Sequence, residues 1–187
     1  SSLKKGDYEA TEDDMTSDRE NSQSIKTLLV FSGPSKVTIK APSDTERAIL
    51  NAKSYGRLIT TKTTELEIEN VNFTGGKANN STGGAIKTTR TLSLKNSDIY
   101  SNQAIKSDGG TGHGAGIYIS YGNLSLDSCN FYDNVSTNGQ GGALYMTGTG
   151  VKTLTVTSTT VGNLDNPNKA TRGGGIYLTF ATTGSTI

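Results

Sequence analysis

The tetrapeptide Gly141-Gly142-Ala143-Leu144 decides the fold, because turns like it recur along the chain. In each turn, glycines run directly into an apolar residue. The four turns are Gly83-Gly84-Ala85-Ile86, Gly114-Ala115-Gly116-Ile117, Gly141-Gly142-Ala143-Leu144 and Gly173-Gly174-Gly175-Ile176. Their first glycines are 31, 27 and 32 residues apart. Self-similarity at a period of about 20–50 residues is typical of repeat proteins, whose units stack on their neighbours.

Between these turns, apolar and polar residues alternate over short stretches, which is the period of a β-strand. The first stretch of each unit is Leu66-Glu67-Ile68, Leu92-Ser93-Leu94, Leu124-Ser125-Leu126 or Leu154-Thr155-Val156. The second stretch ends at Phe73, Ile99, Phe131 or Val161. Strict alternation would turn these last residues outward. We therefore predict a corner between the two stretches, where Asn and Ser bond locally to the backbone. The corner residues are Asn70, Asn96, Ser128 and Ser158.

A third strand follows each glycine turn, as in Ile117-Tyr118-Ile119, and no helical periodicity is visible. The pattern predicts an all-β fold, a right-handed parallel β-helix with three strands per rung, the hand following from the general crossover rule. Residues 25–187 form this helix, with irregular rungs to about 59 and regular rungs over 60–187. Residues 1–24 are predicted to be an acidic, mobile or extended segment. The chain starts without Met and stops in mid-unit, so we expect truncation at the C-terminus.

Composition restricts the class of protein. The chain of 187 residues has 23 glycines and is only 32% hydrophobic, which suits the thin core of a solenoid better than a compact globule. The formal net charge of +1, without a basic stripe, argues against a nucleic-acid partner. No apolar stretch approaches the ~20 residues of a membrane helix, so we expect no membrane contact by this segment. With one cysteine, no intrachain disulfide can form.

Several residues are candidates for function. Tyr118, Tyr145 and Tyr177 are predicted to form an exposed aromatic stripe, serving either as a binding face or as mutual stacking, and we favour stacking. Cys129 aligns with small inward residues and is predicted to be a buried, inert thiol. His113 lies in a glycine-rich loop and is expected to be exposed without a role. We expect no metal and no cofactor, because no ligand cluster accompanies it.

Catalysis needs a pair of acids on one face, as in glycoside hydrolysis. The two outward rows of the aligned strands contain one acid each, Glu67 and Asp98. We therefore expect the protein not to be an enzyme. A fragment of a β-helical carbohydrate-active enzyme, a lyase or a hydrolase, remains an alternative, because such folds also host catalysis. A purely structural stalk is the other alternative.

Two alternating tetrapeptides carry a resemblance to a known family. Gly83-Gly84-Ala85-Ile86 and Gly141-Gly142-Ala143-Leu144 match a GGA(I/L) motif, and Phe131-Tyr132-Asp133-Asn134 matches an FxxN motif. Over roughly residues 60–180 the chain resembles the chlamydial polymorphic membrane proteins. Departures occur at Ile99-Tyr100-Ser101-Asn102, where Ile replaces Phe, and at Phe73-Thr74-Gly75-Gly76 and Val161-Gly162-Asn163-Leu164, which lack the Asn.

The resemblance implies an autotransporter passenger at the bacterial cell surface, in the outer membrane or secreted. It implies an adhesin that attaches to a host-cell surface protein or glycan and can form a homo-oligomer. The adhesion candidates are the motif residues Gly83, Gly84, Ala85, Ile86, Phe131, Tyr132, Asp133, Asn134, Gly141, Gly142, Ala143 and Leu144. Among them, we expect Tyr132 and Asp133 to make contact, Phe131 to act through folding and Asn134 to close a turn.

Overall fold

The computed structural model describes residues 7–20, 23–42, 46–107, 110–150 and 152–180. It confirms the predicted all-β fold: parallel sheets stack into a β-solenoid of about five turns. Within the described ranges, the one helical element is a short 3₁₀ turn, Glu12–Asp14. Residues 1–6 and 181–187, the outermost parts of the two predicted segments, lie outside the described residues.

Each regular coil passes through four sheets, named I to IV in the order in which the chain visits them. Sheet I contains β2 (Thr16–Glu20), β3 (Gln23–Phe31), β6 (Arg57–Thr61), β10 (Ile86–Thr88), β14 (Ile117–Ser120), β18 (Leu144–Gly148) and β22 (Ile176–Phe180). Sheet II contains β4 (Lys36–Lys40), β7 (Glu65–Glu69), β11 (Leu92–Lys95), β15 (Leu124–Asp127) and β19 (Leu154–Thr157). Sheet III contains β1 (Asp7–Glu9), β5 (Ala48–Asn51), β8 (Val71–Thr74), β12 (Asp98–Tyr100), β16 (Asn130–Tyr132) and β20 (Thr160–Val161). Sheet IV contains β9 (Lys77–Asn79), β13 (Gln103–Ile105), β17 (Val135–Gln140) and β21 (Lys169–Arg172).

The structure has four strands per rung instead of the predicted three, because each regular coil also contributes a strand to sheet IV. Its strands pair in parallel like those of the other sheets, for example β9 with β13. They are short, and β9 and β13 each bury a single alanine, Ala78 or Ala104. One small inward residue between polar neighbours leaves no apolar alternation to detect, so the sequence pattern missed this sheet.

The predicted columns of equivalent residues are confirmed. Leu66 pairs with Leu92, Leu92 with Leu124, and Leu124 with Leu154 along sheet II. All four side chains are at most 2% exposed and belong to one continuous core. Burial of such a stack removes apolar surface from water in every coil, which is the main force holding a solenoid together.

The predicted corners between the two strands of each alternation are also confirmed. The φ angles are 62° at Asn70, 48° at Asn96, 55° at Ser128 and 47° at Ser158. A left-handed residue breaks the strict alternation, so Phe73 returns to the core and is fully buried. The corner lies between sheets II and III.

The described part of the acidic N-terminal segment consists of the strands β1 and β2 with the 3₁₀ turn Glu12–Asp14 between them. β1 pairs in parallel with β5, and β2 pairs antiparallel with β3, which itself spans the predicted boundary at residue 24. Glu12 forms an ion pair with Lys26, and Glu9 Oε1 lies 2.7 Å from Lys53 Nζ. These two acidic residues thus meet lysines of the first coil, while Met15 packs against the core.

Candidate functional site

The GGA(I/L) motif forms the corner between sheets IV and I, and its glycines are required by geometry. Gly141 has φ +66°, and a Cβ there would lie 2.3 Å from the Leu144 carbonyl oxygen. A Cβ on Gly142 would lie 2.1 Å from the Gly174 carbonyl oxygen of the next coil. Real Cβ atoms do not approach oxygens this closely, so a side chain at either position would displace backbone.

The remaining residues of this motif face the core. Ala85, Ile86 and Ala143 are fully buried, and Leu144 is 1% exposed. The Ala85 N–H donates to the Ala115 carbonyl oxygen of the next coil at 3.0 Å. The motif therefore closes the coil and presents no side chain outward.

The FxxN motif forms the corner between sheets III and IV, and its four residues have four different environments. Phe131 is 1% exposed in the core, and Tyr132 is half-buried on the outer face. Asp133 has φ +53° and makes the turn, and Asn134 is fully buried. Only Tyr132 and Asp133 of this motif offer surface to a partner.

Asn134 belongs to a buried ladder, here called the asparagine column, formed by Asn102, Asn134 and Asn168. The Asn102 Nδ2 donates to Asn134 Oδ1 at 3.0 Å, and the Asn134 Nδ2 donates to Asn168 Oδ1 at 2.9 Å. Each Nδ2 also donates to a carbonyl oxygen of the preceding coil, as from Asn134 to Ile99 at 2.8 Å. The side-chain hydrogen bonds of Asn134 thus run to neighbouring coils, which they join, rather than across its own turn.

Asn168 is the member of this column that the motif spacing did not predict. The motif Asn lies three residues after Phe131 but seven after Val161, so the fifth coil carries a four-residue insertion at this corner. Asn168 still reaches the equivalent place, 9% exposed, and accepts from the Asn134 N–H at 3.1 Å. The Asn-Pro-Asn sequence at 166–168 is the signal that could have located it.

A second, shorter asparagine ladder lies at the corner between sheets II and III. The Asn96 Nδ2 donates to Asn70 Oδ1 at 2.7 Å. The next residue of the column, Ser128, instead donates to its neighbour Asp127 at 2.9 Å. The ladder therefore ends at Asn96, because the next residue at this corner is a serine.

The tyrosines form two stacked columns. Ring centroids are 5.4 Å apart for Tyr118 and Tyr145 and 5.5 Å for Tyr145 and Tyr177, with interplanar angles of 5° and 8°. Tyr100 and Tyr132 stack at 4.9 Å. The rings thus make the mutual stacking that we favoured, and all five are half-buried. Because sheets I and III are not consecutive in the coil, the two columns do not form one site.

A polar network surrounds Tyr132 on the outer face of sheet III. Asp98 Oδ1 lies 2.8 Å from Arg47 Nη1 and accepts from the Asn130 Nδ2 at 2.8 Å. Burial, together with the nearby Asp98 carboxylate, raises the pKa of Tyr132 to about 12, so the phenol is neutral at physiological pH. Sequence reasoning missed Arg47, since it precedes the regular repeats.

His113 is not the exposed residue that was predicted. Its ring stacks on Tyr145 with centroids 4.6 Å apart, and its Nδ1 accepts from the Gln140 N–H at 3.1 Å. Burial lowers the pKa of His113, and the positive charge of Lys106 lowers it further. The glycine-rich loop folds the ring back onto the aromatic column, a contact between residues 32 positions apart that no local pattern reveals.

Cys129 and Arg57 are two further residues that are fully buried. Cys129 is fully buried as predicted, and burial raises the pKa of its thiol, so the thiolate form is disfavoured. Arg57 is also fully buried and was missed; its guanidinium donates to the Gly83 and Thr82 carbonyl oxygens, both at 2.8 Å, and to Ser81 Oγ at 2.9 Å. These hydrogen bonds join the start of the second coil to the first glycine turn.

Over the described part of the chain, no cluster of three or more His, Cys, Asp or Glu could hold a metal ion. Nor do these residues include a helix with the length and hydropathy to cross a membrane. The fold thus defines a β-solenoid whose motif residues mostly point inward. Comparison of the chain with family models, with curated proteins and with solved structures found no match.

Proposed function

We propose that this chain is the passenger segment of a bacterial surface adhesin, similar to the chlamydial polymorphic membrane proteins, that attaches to a protein or glycan on host cells. The observation that carries the proposal is the placement of the two motifs. Both GGA(I/L) matches make the corner between sheets IV and I, and the FxxN match and its near match Ile99-Tyr100-Ser101-Asn102 make the corner between sheets III and IV. The motifs are therefore the signature of one coil, repeated along a rod.

Adhesion by such a rod would depend on repetition. Outward residues of equivalent positions lie in columns with one member per coil, as Tyr100 and Tyr132 do. Many weak contacts made at once give an avidity that no single contact supplies. The protein would be displayed at the cell surface, in the outer membrane or after secretion, and its copies would be able to form a homo-oligomer.

A structural stalk is the second candidate, and one observation favours it. Nearly all motif residues are internally satisfied, so the repeats are explained by folding without any partner. We include no catalysis in the proposal. The two acids of the outward rows are engaged, Glu67 with Lys36 at 2.5 Å and Asp98 with Arg47 at 2.8 Å, and they lie on different sheets.

The deciding experiment measures binding of the labelled chain to cultured epithelial cells. We expect saturable binding that weakens in the double variant Tyr132→Ala/Asp133→Asn, because these are the outward residues of FxxN. Asn is retained at position 133 since it tolerates the left-handed angle there. Circular dichroism and the melting temperature must show that the variant remains folded.

The matched control changes the same residue types elsewhere, in Tyr177→Ala/Asp165→Asn. Binding that falls only in the first variant supports contact through sheet III. Equal losses in both variants would place the contact outside the FxxN motif. Absence of saturable binding by the unmodified chain would reject the adhesin and favour the stalk.

A further inference from the structure

A cavity of about 370 Å³ lies beside the second coil, on a part of the surface to which neither motif contributes. It is lined by residues of the first two coils, among them Lys26, Tyr55, Gly56, Lys77, Asn79 and Asn80. This volume is within the range of small-ligand sites, about 300–1,000 Å³, and accommodates one or two sugar units. We propose that this cavity binds an acidic sugar residue, one that carries a carboxylate or a sulfate. The inference rests on the proposed function and deepens it by naming a glycan class.

The charge of the cavity is positive. Lys77 has no carboxylate within ion-pair distance among the described residues, and its ammonium is therefore available to an anion. Lys26 also lines the cavity and is shared with Glu12, whose side chain is 65% exposed. The described lining thus contains two lysines and no carboxylate, which favours an anionic ligand.

Tyr55 supplies the second requirement of sugar recognition, an open aromatic face. Its side chain is 45% exposed. Among the aromatic rings that the structure describes, the tyrosines of the two columns stack on one another and Tyr121 lies under Lys152, but Tyr55 has no ring partner. The axial C–H groups of a pyranose carry partial positive charge, so they pack against the negative face of such a ring.

The polar side chains of the wall fit sugar hydroxyls. Asn80 Oδ1 already accepts from the Ser107 N–H at 2.7 Å, which fixes the amide and directs its NH₂ group away from Ser107. Asn79 is exposed beside it.

The backbone at the cavity is held in place by the Lys77 N–H, which donates to the Gly56 carbonyl oxygen at 2.7 Å. At Gly56 itself a Cβ would lie 2.2 Å from the Lys26 carbonyl oxygen, so the close approach of the two coils there depends on glycine. An ammonium, an aromatic face and a held amide therefore surround one cavity.

The test measures binding of fluorescent oligosaccharides to the purified chain by thermophoresis. The probes are a heparin-derived tetrasaccharide with sulfates, a hyaluronan tetrasaccharide with carboxylates only, and neutral maltotetraose. We expect at least one acidic probe to bind and maltotetraose to bind at least tenfold more weakly. Binding of the hyaluronan probe would assign a carboxylate, and binding of the heparin probe alone would assign a sulfate. Equal binding of all three, or of none, would overturn the proposal.

Variants then locate the site. Lys77→Ala and Tyr55→Ala should each weaken binding of the acidic probe about tenfold, the loss of one charge-assisted contact or one stacking contact. Tyr55→Phe keeps the aromatic face and should retain binding. The matched control is Lys169→Ala, because Lys169 occupies the position of Lys77 in the same column of sheet IV, three coils away and outside the cavity. An equal loss in Lys169→Ala would show non-specific charge attraction and overturn the assignment.

The same proteins separate this inference from the proposed function. Adhesion to cells without binding of any acidic probe would reject the cavity and leave the adhesin. Binding of the probe without adhesion to cells would reject the adhesin as proposed and leave the cavity as a saccharide site. Melting temperatures of all variants should match that of the unmodified chain, since the changed side chains are at the surface.

Discussion

Single residues at the corners determine whether a coil can close. Gly141 and Gly150 both have positive φ, +66° and +82°, but their surroundings differ. A Cβ on Gly141 would meet the Leu144 carbonyl oxygen at 2.3 Å, whereas a Cβ on Gly150 would meet nothing within 4 Å. The two positions therefore separate the cost of a left-handed angle from the cost of a collision.

We expect Gly150→Ala to lower the free energy of unfolding by about 1–2 kcal/mol, the cost of the left-handed angle alone. Gly141→Ala should lower it by roughly a further 1–3 kcal/mol, because the backbone must move to relieve the contact. Denaturant unfolding followed by circular dichroism measures both. Equal losses in the two variants would show that the coil has room at the GGA(I/L) corner.

His113 makes stability depend on pH near neutrality. Its pKa in the folded chain lies below the ordinary value of 6.5, because burial and Lys106 disfavour the charged ring. As the pH falls, the unfolded chain therefore takes up this proton before the folded chain does, and stability is lost. The contribution is fully present above about pH 6.5. The pKa of Glu69 is lowered from 4.5 by its hydrogen bond from Lys40, so the stability it contributes is present above about pH 4.5 and is lost only below that range.

Accordingly, the melting temperature should fall between pH 7.5 and pH 5.5, and His113→Gln should show a smaller fall over the same range. Differential scanning calorimetry measures the melting temperature at several pH values. The change of melting temperature with pH is then compared between the two proteins, rather than the melting temperatures themselves. A parallel pH dependence in both proteins would mean that His113 is not the titrating group.

At the scale of the element, the sheets are held together by side-chain columns as well as by strand pairing. The asparagine column joins three coils through amides that are buried and fully hydrogen-bonded. Removing one amide leaves a carbonyl oxygen and an N–H group buried without partners, and each such group costs roughly 1–3 kcal/mol. The asparagine of FxxN is thus a structural residue of the corner.

Asn134→Ala should therefore lower the free energy of unfolding by about 2–4 kcal/mol, because Ile99 and Asn102 both lose partners. Asn79→Ala is the matched control, since Asn79 is exposed at the end of a neighbouring strand, and its loss should stay within ~0.5 kcal/mol. Chemical denaturation measures both. A loss at Asn134 no larger than at Asn79 would exclude the column as a stabilising element.

Elements with strong alternation could be predicted from sequence, and the others could not. The strands β7, β11 and β15 each place two apolar residues inward, and the phase break after them predicted the corner between sheets II and III. In sheet IV, β9 and β13 each bury one alanine, β17 buries Ser136 and Gly139, and β21 buries none of its residues, so their pattern is that of a loop. In the fifth coil, a four-residue insertion separates Asn168 from its expected place three residues after Val161. The sequence pattern assumes a constant number of residues between the two, whereas the fold only requires an asparagine at the equivalent place in space.

At the scale of the whole molecule, the coils differ in how completely they are covered. Leu94, Ile99 and Ile117 in the middle coils are fully buried. Toward the last coil, Val156 is 41% exposed and Ile176 is half-buried. In a solenoid each coil is stabilised by its two neighbours, so local unfolding should begin at the less covered end.

Hydrogen exchange followed by mass spectrometry should therefore show a gradient along the chain. We expect the slowest exchange in β10, β11 and β14, and exchange at least tenfold faster in β20 and β21, in which no residue is buried. The strands of one coil should exchange together, because a coil opens as a unit. Uniform protection across all coils would contradict this nearest-neighbour stability.

The candidate surfaces were only partly predictable, for a reason of scale. The tyrosine columns follow from residues at equivalent positions, so alignment of the units was sufficient. Arg47 beside Asp98, His113 on Tyr145, and Tyr55 near Lys77 join residues of different coils at non-equivalent positions. Such contacts depend on how the irregular first coil and the loops fold over the stack, and no repeat encodes them.

The insertion before Asn168 has a practical consequence. The fifth coil regains its place in the core after four additional residues, so the corner between sheets III and IV accepts a longer loop. After it, β21 begins in register with β17 at Lys169 and Ala170, shifts register only further along, and β22 pairs regularly with β18. Foreign peptides grafted between Gly162 and Pro167 should be displayed on an unchanged scaffold.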